Sequence, residues 1–104
     1  MITNFRDGEV WLVRYYYEDE PSQSKVRPVV LINGQAMMLY GYKMTSQSPR
    51  NSQEYSITDL DSAGLSKKTV IRTSKFMEIQ ENALIRKLGD LSTADLTAFS
   101  KLLT

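Results

Sequence analysis

The sequence predicts an α+β fold, a small half-open antiparallel β-barrel followed by a C-terminal helix. Short runs rich in β-branched and aromatic residues, separated by polar turn segments, recur over residues 8–79, a pattern typical of antiparallel strands. The pattern changes to helical spacing in STADLTAFSKLL, residues 92–103, where Ser92 is the predicted N-cap and Asp95 occupies the third helical position. We expect residues 1–104 to form a single domain.

The first predicted strand is GEVWLVRYYY, residues 8–17. Both of its faces are partly apolar, as expected for a strand of a small barrel. The polar segment EDEPSQSK, residues 18–25, contains a proline and two serines and is predicted to be a mobile loop. It is long for a simple hairpin connection, which indicates a functional use.

The second predicted strand, RPVVLI at residues 27–32, begins with a charge next to a proline. Pro28 fits the start of a strand because proline cannot donate a ladder hydrogen bond, and its fixed φ gives Arg27 a rigid position at the rim. A guanidinium there is suited to hold a phosphate through two hydrogen bonds. From the residues alone, the commoner alternative is a surface ion pair with a preceding acidic residue, Glu18, Asp19 or Glu20.

Asn33-Gly34 predicts a two-residue type I′ turn after this strand, because both residues tolerate positive φ. The returning strand then ends in Met-Thr-Ser. Counted outward from the turn, Arg27 would lie opposite Tyr40, so a bulge in the returning strand would be needed to bring Thr45 within reach. A hydroxyl pair at a strand end is more often a turn than a donor to a ligand.

The middle of the chain contains a second loop and two further strands. SQSPRNSQ, residues 46–53, predicts a flexible loop that carries Arg50. EYSIT and TVIRTS predict short strands on either side of the turn-rich DLDSAGLSKK, and KFMEI continues the second of them. Asp59 and Asp61 fit a turn cap better than a metal site.

Composition excludes several kinds of chemistry. The chain has no cysteine and no histidine, which removes disulfides, a thiolate nucleophile, the usual zinc sites and an imidazole general base. We expect no metal and no cofactor. No apolar run approaches the roughly 20 residues of a membrane span, and MITNFRDGEV lacks the features of a signal peptide. We therefore expect a cytoplasmic protein without a membrane partner.

The net charge of +1 conceals an uneven distribution. Residues 25–75 hold eight Lys and Arg against three Asp and Glu, a net charge of +5 that leaves −4 for the rest of the chain. This asymmetry suits a basic face for a polyanion, and a chance arrangement of surface lysines would give the same count. The residues alone leave both interpretations open.

Arg72 and the aromatic residues are further candidates. Arg72 lies in the middle of a strand pattern, where a lone arginine is usually on the solvated face, whereas convergence with Arg27 would form a phosphate clamp. Six aromatic residues could stack on unpaired bases, although most are expected in the core or a dimer interface: Trp11, Tyr15, Tyr16, Tyr17, Tyr40 and Tyr42.

The order and spacing of several segments resemble the MazF/PemK family of toxin endoribonucleases over nearly the whole chain. The segments are GEVWLV, KVRPVVLIN, a strand ending in MTS, DLDSAGLSKKTVIRTSKFMEI, LIRKLGDLS and the C-terminal helix. The resemblance implies an SH3-like small barrel, a homodimer and metal-independent cleavage of single-stranded RNA at a short sequence. It also implies a cognate antitoxin that blocks the site.

The resemblance assigns catalytic roles to Arg27 and Thr45 and, from PemK-type members, to Arg72. Those members carry an aspartate where this chain has Ser74, and a histidine that this chain lacks, which favours a mechanism centred on Arg27 and Thr45. The general base is unassigned, with a carboxylate of the first loop as the candidate. We expect the nearby cationic and hydroxyl side chains to bind RNA: Lys25, Lys43, Ser46, Arg50, Ser74 and Lys75.

Two alternatives from other functional classes remain. A gyrase-inhibiting toxin of the CcdB type shares the fold and cleaves nothing, but it acts through a C-terminal tryptophan-glycine-isoleucine end. This chain ends in SKLLT, and its only tryptophan is Trp11. The second alternative is a catalytically weak or inactive member that binds RNA or the antitoxin, which the missing histidine and aspartate keep open.

Overall fold

The computed structural model describes residues 5–16, 22–32, 39–48 and 54–103. The strands are β1 Glu9–Tyr16, β2 Ser24–Ile32, β3 Leu39–Thr45, β4 Tyr55–Ser56, β5 Val70–Ile79 and β6 Leu84–Asp90. The helices are α1 Leu60–Ala63 and α2 Thr93–Leu102, with a 3₁₀ turn at Glu81–Ala83. Several predicted features lie outside the described residues: Tyr17, the acidic residues Glu18, Asp19 and Glu20, the Asn33-Gly34 turn, and Arg50.

The six strands form one antiparallel sheet in the order β4-β5-β3-β2-β1-β6, and α2 follows it. The predicted α+β class is confirmed. Strands β4 and β6 lie at the two edges, and among the described residues they do not pair with each other, so the sheet is open and the predicted barrel is not closed. No helix in the described segments is long and apolar enough to cross a membrane.

Apolar residues of β2 enter two separate clusters. Val30 belongs to a cluster that includes Ile71 and Phe99, whereas Val29 and Leu31 belong to a second one. Because successive side chains of a strand point to opposite faces, the run VVLI buries both faces of β2. Helix α2 closes the first cluster through Phe99, which is fully buried.

Strand β2 begins earlier than the sequence predicted. Ser24 and Lys25 belong to the strand and not to the preceding loop, and Pro28 is its fifth residue and not its first. Pro28 pairs with Leu12 of β1. The pairing of β2 with β3 starts only at Val29, so β2 has an open edge where its proline lies, and a residue without an N–H is tolerated there.

The register between β2 and β3 also differs from the prediction. Tyr40 pairs with Ile32 and not with Arg27. The prediction was wrong because it counted from a two-residue turn, whereas seven residues separate Ile32 from Tyr40. The observed register, continued past its last pair, sets Arg27 level with Thr45 without any bulge in this ladder.

Gly41 of β3 is required by a close approach. A Cβ at this position would lie 2.6 Å from Val29 Cγ1 and 2.8 Å from the carbonyl oxygen of Val30. Any side chain would therefore push β3 away from β2. The irregularity in β3 lies between Tyr42 and Met44, in its pairing with β5.

Asp95 connects α2 to the segment that follows β4. Ser92 caps α2 as predicted, and its hydroxyl accepts the N–H of Asp95 at 3.0 Å. The Asp95 carboxylate is fully buried and accepts the hydroxyls of Tyr55 at 2.5 Å and Thr58 at 2.7 Å. It also accepts the backbone N–H groups of Thr58 and Asp59, the latter at 2.9 Å. One buried carboxylate thus fixes β4 and the start of α1 against α2.

This contact shifts the pKa values of both partners. Burial, together with the hydrogen bond to Asp95, raises the pKa of Tyr55 from 10.0 to about 12. Burial alone would raise the pKa of Asp95, but hydrogen bonds from Tyr55, the Asp59 backbone and Thr58 outweigh it and lower the pKa below 3.8. The ionised carboxylate and the neutral phenol are therefore the forms that the fold stabilises.

Replacing Asp95 by asparagine should destabilise the fold. We expect Asp95→Asn to lower the free energy of unfolding by about 2–4 kcal/mol, because the buried N–H and O–H donors lose a charged acceptor and meet an amide group. Urea unfolding at pH 7 measures the change. Asp61→Asn, at an exposed position of α1, is the matched control and should stay within about 0.5 kcal/mol of the parent. Equal effects of the two variants would contradict the network.

Stability should fall on both sides of neutral pH. The folded state binds the Asp95 proton less tightly than the unfolded chain, so this contribution is present above about pH 4 and is lost as the pH falls through the folded-state pKa. The folded state binds the Tyr55 proton more tightly, so that contribution is present below pH 10 and is lost towards about pH 12. The urea concentration at half-unfolding, measured against pH, tests this. Asp95→Asn should reduce the loss of stability at acid pH, and Tyr55→Phe should reduce the loss at alkaline pH. Variants with the same pH dependence as the parent would refute the roles given to Asp95 and Tyr55.

Candidate active site

A cavity of about 700 Å³ opens beside the N-terminal half of β2. It exists because β2 pairs with β1 as far as Ser24, while its pairing with β3 ends at Val29–Lys43 and β3 continues to Thr45 beside β5. The two strands therefore separate and leave a gap between them. The lining residues are Tyr15, Tyr16, Lys25, Arg27, Lys43, Met44, Thr45, Ser46, Gln47, Arg72 and Lys75.

The described lining of this cavity contains five cations and no carboxylate. Two of the cations are fixed on an aromatic ring: the ammonium groups of Lys25 and Lys43 lie 5.3 and 4.4 Å from the centre of the Tyr15 ring. Cation–π contacts of this kind hold a lysine close to the floor of a cleft while it keeps its charge. The cavity is suited to bind an anion with several phosphates.

A second cavity of about 540 Å³ lies on the other side of Arg27 and Thr45. The two cavities share four residues: Arg27, Met44, Thr45 and Ser46. The second one adds the cations Lys67 and Arg86, again without a carboxylate among its described lining residues. We call the pair of cavities the basic groove, and Arg27 and Thr45 lie at its junction.

Arg27 and Thr45 reach this junction from neighbouring strands. Arg27 is exposed, and its Nη1 donates to the carbonyl oxygen of Val26 at 2.8 Å. The described residues give it no ion pair, and the acidic residues of the predicted alternative lie outside them. The hydroxyl oxygen of Thr45 accepts the backbone N–H of Gln47 at 3.2 Å. A planar cation and a hydroxyl thus border one space, which suits a phosphate.

Arg72 differs from the predicted solvated arginine. Its side chain is only 12% exposed and forms an ion pair with Glu54, whose side chain is 2% exposed, at 3.1 Å between Nη1 and Oε2. Its Nη2 donates to Oε1 of Gln47 at 2.8 Å. Arg72 and Arg27 line the same cavity, as a phosphate clamp requires.

Glu54 was not among the sequence candidates. Residues 25–75 contain three acidic residues, of which Asp59 caps α1 through the N–H of Ser62 and Asp61 lies in its first turn. Glu54 pairs with Arg72, 18 positions further along the chain. The sequence offered one signal for this pairing, namely an acidic residue within a basic stretch to which the sequence analysis gave no role.

The other predicted RNA-binding residues divide into three groups. Lys25, Lys43, Ser46 and Lys75 line the main cavity. Ser74 borders a smaller neighbouring cavity of about 330 Å³, and Arg50 lies outside the described residues. Of the aromatic candidates, Tyr16 is 58% exposed and lines both the main and the smaller cavity. Phe76, 51% exposed at the smaller cavity, was missed by the sequence analysis.

The described residues contain no group of three or more acidic, histidine or cysteine side chains placed to hold a metal ion. The charged side chains that line the basic groove in the described residues are all cations, and hydroxyl groups such as that of Thr45 lie among them. They can bind a phosphate directly through charge-assisted hydrogen bonds.

A family model of the PemK-like, MazF-like toxins of type II toxin-antitoxin systems matches residues 6–104. The chain belongs to this family. The resemblance found in the sequence is confirmed, and membership supports toxin endoribonuclease activity at the level of the family. No curated protein sequence matches this MazF-like toxin.

Solved structures share its fold, including the following two. One is described as an endoribonuclease in complex with its cognate antitoxin from mycobacterial species, with a TM-score of 0.76, 12% identity, and coverage of 96% of this chain and 91% of that one. The other is the Mycobacterium tuberculosis toxin MazF-mt6, with a TM-score of 0.68, 15% identity, and coverage of 89% and 91%. At these identities the likeness concerns the fold alone.

Neutralising cations of the basic groove should weaken binding of single-stranded nucleic acid. Single-stranded DNA is a suitable ligand because it carries the phosphate charges that the cations of the groove are suited to bind. For the double variant Lys43→Gln/Lys75→Gln we expect lower affinity and a smaller dependence on salt, by roughly 0.7 in slope per lysine. The matched control is Lys68→Gln/Lys101→Gln, which removes the same charge outside the cavities. Titration by fluorescence anisotropy at several salt concentrations tests this, and equal slopes for both double variants would contradict it.

Proposed function

We propose that this MazF-like toxin is a metal-independent endoribonuclease that cleaves single-stranded RNA at a short sequence, and that a cognate antitoxin inhibits it by occupying the basic groove. The observation that supports the proposal is the position of Arg27 and Thr45 where two cation-lined cavities meet. An RNA strand running through both cavities would place one phosphate between these two side chains.

The proposed reaction is an internal transesterification. The 2′-hydroxyl adjacent to the scissile phosphate attacks phosphorus, the bond to the 5′-oxygen breaks, and the products carry a 2′,3′-cyclic phosphate and a free 5′-hydroxyl. The 2′-hydroxyl gives its proton to a base, and the leaving 5′-oxygen receives one. No metal is needed if the protein stabilises the charge that develops on the phosphorane oxygens.

Arg27 is proposed as the main source of this stabilisation, because its guanidinium is exposed to the groove and always protonated. Arg72 contributes a second positive charge at the same cavity, reduced by its ion pair with Glu54. Thr45 binds the phosphate through its hydroxyl. An arginine does not accept a proton under ordinary conditions, so the base is a different group, and the acidic residues before β2 keep that candidacy as a prediction.

The partners follow from the chemistry of the groove. The seven cations that line its two cavities would bind RNA through its phosphates, and a segment of an antitoxin rich in acidic residues would compete for the same charges. The solved relative bound to its antitoxin supports this kind of partner. A homodimer and a cytoplasmic location, where RNA is the available polyanion, remain predictions.

Cleavage of a long single-stranded RNA in EDTA, with mapping of the new ends, tests the proposal. We expect cuts at a repeated short motif with cyclic-phosphate and 5′-hydroxyl ends. Arg27→Ala and Thr45→Ala should each lower the cleavage rate at least about a hundredfold, because each removes a group that binds the reacting phosphate. Arg14→Ala and Thr97→Ala, exposed positions that line none of the cavities, are the matched controls and should cleave like the parent.

Other outcomes would indicate a different function. Linear 5′-phosphate ends would refute the transesterification, and cleavage only after Mg²⁺ is added would refute metal independence. RNA that is bound but left intact would indicate a binding module. RNA that is neither bound nor cut, together with inhibited DNA supercoiling, would indicate the gyrase-inhibiting class.

A further inference from the structure

Four residues form a series of contacts from the protein interior to Thr45, two of them between side chains and one through the backbone N–H of Gln47. Oε2 of Glu54 lies 3.1 Å from Nη1 of Arg72, and Nη2 of Arg72 donates to Oε1 of Gln47 at 2.8 Å. The backbone N–H of Gln47 then donates to Oγ1 of Thr45 at 3.2 Å. Every step lies within hydrogen-bonding distance.

One end of this series is rigid and the other is exposed. Glu54 is buried and directly precedes Tyr55, which the Asp95 carboxylate fixes against α2. Gln47 lies in the exposed segment after β3, where side chains are ordinarily the most mobile. The planar guanidinium of Arg72 holds two acceptors at once in a fixed geometry, which the single ammonium group of a lysine cannot reproduce.

The series also determines what the Thr45 hydroxyl can do. A hydroxyl has one donor and two acceptor positions, and one acceptor position is occupied by the N–H of Gln47. An N–H cannot accept, so the hydroxyl hydrogen points elsewhere. With an RNA strand bound as proposed, a phosphate oxygen at the junction of the basic groove can receive it.

We infer that Glu54, acting through Arg72 and Gln47, is a positioning residue that fixes the Thr45 hydroxyl as a hydrogen-bond donor to the phosphate. The kinetic part of this inference rests on the proposed ribonuclease function. Thr45 accordingly stabilises charge on a phosphate oxygen by donating its hydroxyl hydrogen. Glu54 itself contributes to catalysis without touching RNA.

Steady-state cleavage kinetics test the inference. We expect Glu54→Ala and Gln47→Ala each to lower kcat about tenfold to a hundredfold, since small displacements of a reacting group carry costs of that size. In Gln47→Ala, KM should stay within about twofold, because every charge of the groove is kept. In Glu54→Ala, Arg72 loses its neutralising partner, so KM should fall or stay within about twofold of the parent and should not rise. Glu54→Gln keeps an oxygen that can accept from Arg72 and should recover most of the lost kcat. A rise in KM with kcat unchanged would overturn the inference.

A matched control separates positioning from stability. Glu9 is also buried and charge-paired: its side chain is 5% exposed, lies within 4 Å of cationic groups of Arg6 and Lys87, and lines none of the three cavities. Glu9→Ala should lower the unfolding midpoint and leave the kcat of the folded protein unchanged.

Because Glu54 and Gln47 act in series, the double alanine variant should lose no more kcat than the more damaged single variant. A double variant whose loss of kcat equals the product of the two single losses would overturn the inference.

Amide hydrogen exchange of residue 47 provides a readout that does not depend on cleavage. In the parent protein this amide should be protected by its bond to Thr45. Exchange should accelerate at least about tenfold in Glu54→Ala and also in Gln47→Ala, which changes an exposed side chain and retains the fold. It should be unchanged in Glu9→Ala. Unaltered exchange in both groove variants would refute the series whatever the kinetics show. If the parent protein leaves RNA intact but exchange is accelerated in Glu54→Ala and Gln47→Ala, the series would be supported and the proposed function refuted.

Discussion

Strands β2 and β3 pair from Val29–Lys43 to Ile32–Tyr40, and on the other side of Val29, among the described strands, β2 pairs with β1 alone. The gap that results is the basic groove. The two backbones separate beyond Val29–Lys43, while the register of the pairing keeps Arg27 and Thr45 at one level. The end of the β2–β3 pairing therefore opens the space and also places the two central side chains of the groove beside it. The buried run after Pro28 prevents the strands from shifting, because a slip of one residue would expose the apolar side chains that enter the two clusters.

Two buried carboxylates, Glu54 and Asp95, support the side of the groove to which Arg72 belongs. We call this side the β4–β5 wall. Asp95 accepts hydrogen bonds from both sides of Ser56, at Tyr55 and at Thr58, and Glu54 binds Arg72 immediately before β4. Strand β4 has only two residues and could not hold this edge by its own ladder. The wall is therefore maintained by side-chain contacts between segments distant in sequence, and a substitution on α2 can alter the groove without facing it.

Part of the fold could be predicted from residues that are close together in the sequence. The Ser92 cap, the Asp59 cap and the continuous strand β5 follow from neighbouring residues, and all three are present. The prediction of the β2–β3 register was wrong because it assumed a two-residue turn, whereas the connection between the paired residues Ile32 and Tyr40 is seven residues long. Strand β6 was not predicted, since the charges of LIRKLGD obscure its alternation. The partners of Glu54 and Asp95 could not be read from the sequence, because each lies many residues away and only the folded sheet brings them together.

The shared wall of the two cavities has a consequence for inhibition. Arg27, Met44, Thr45 and Ser46 border both spaces, so a continuous strand cannot pass from one to the other without crossing them. A peptide only a few residues long that rests on these four side chains interrupts the whole path, although most of the cationic surface stays uncovered. Occlusion here is decided by where a ligand lies and not by how much of the groove it fills.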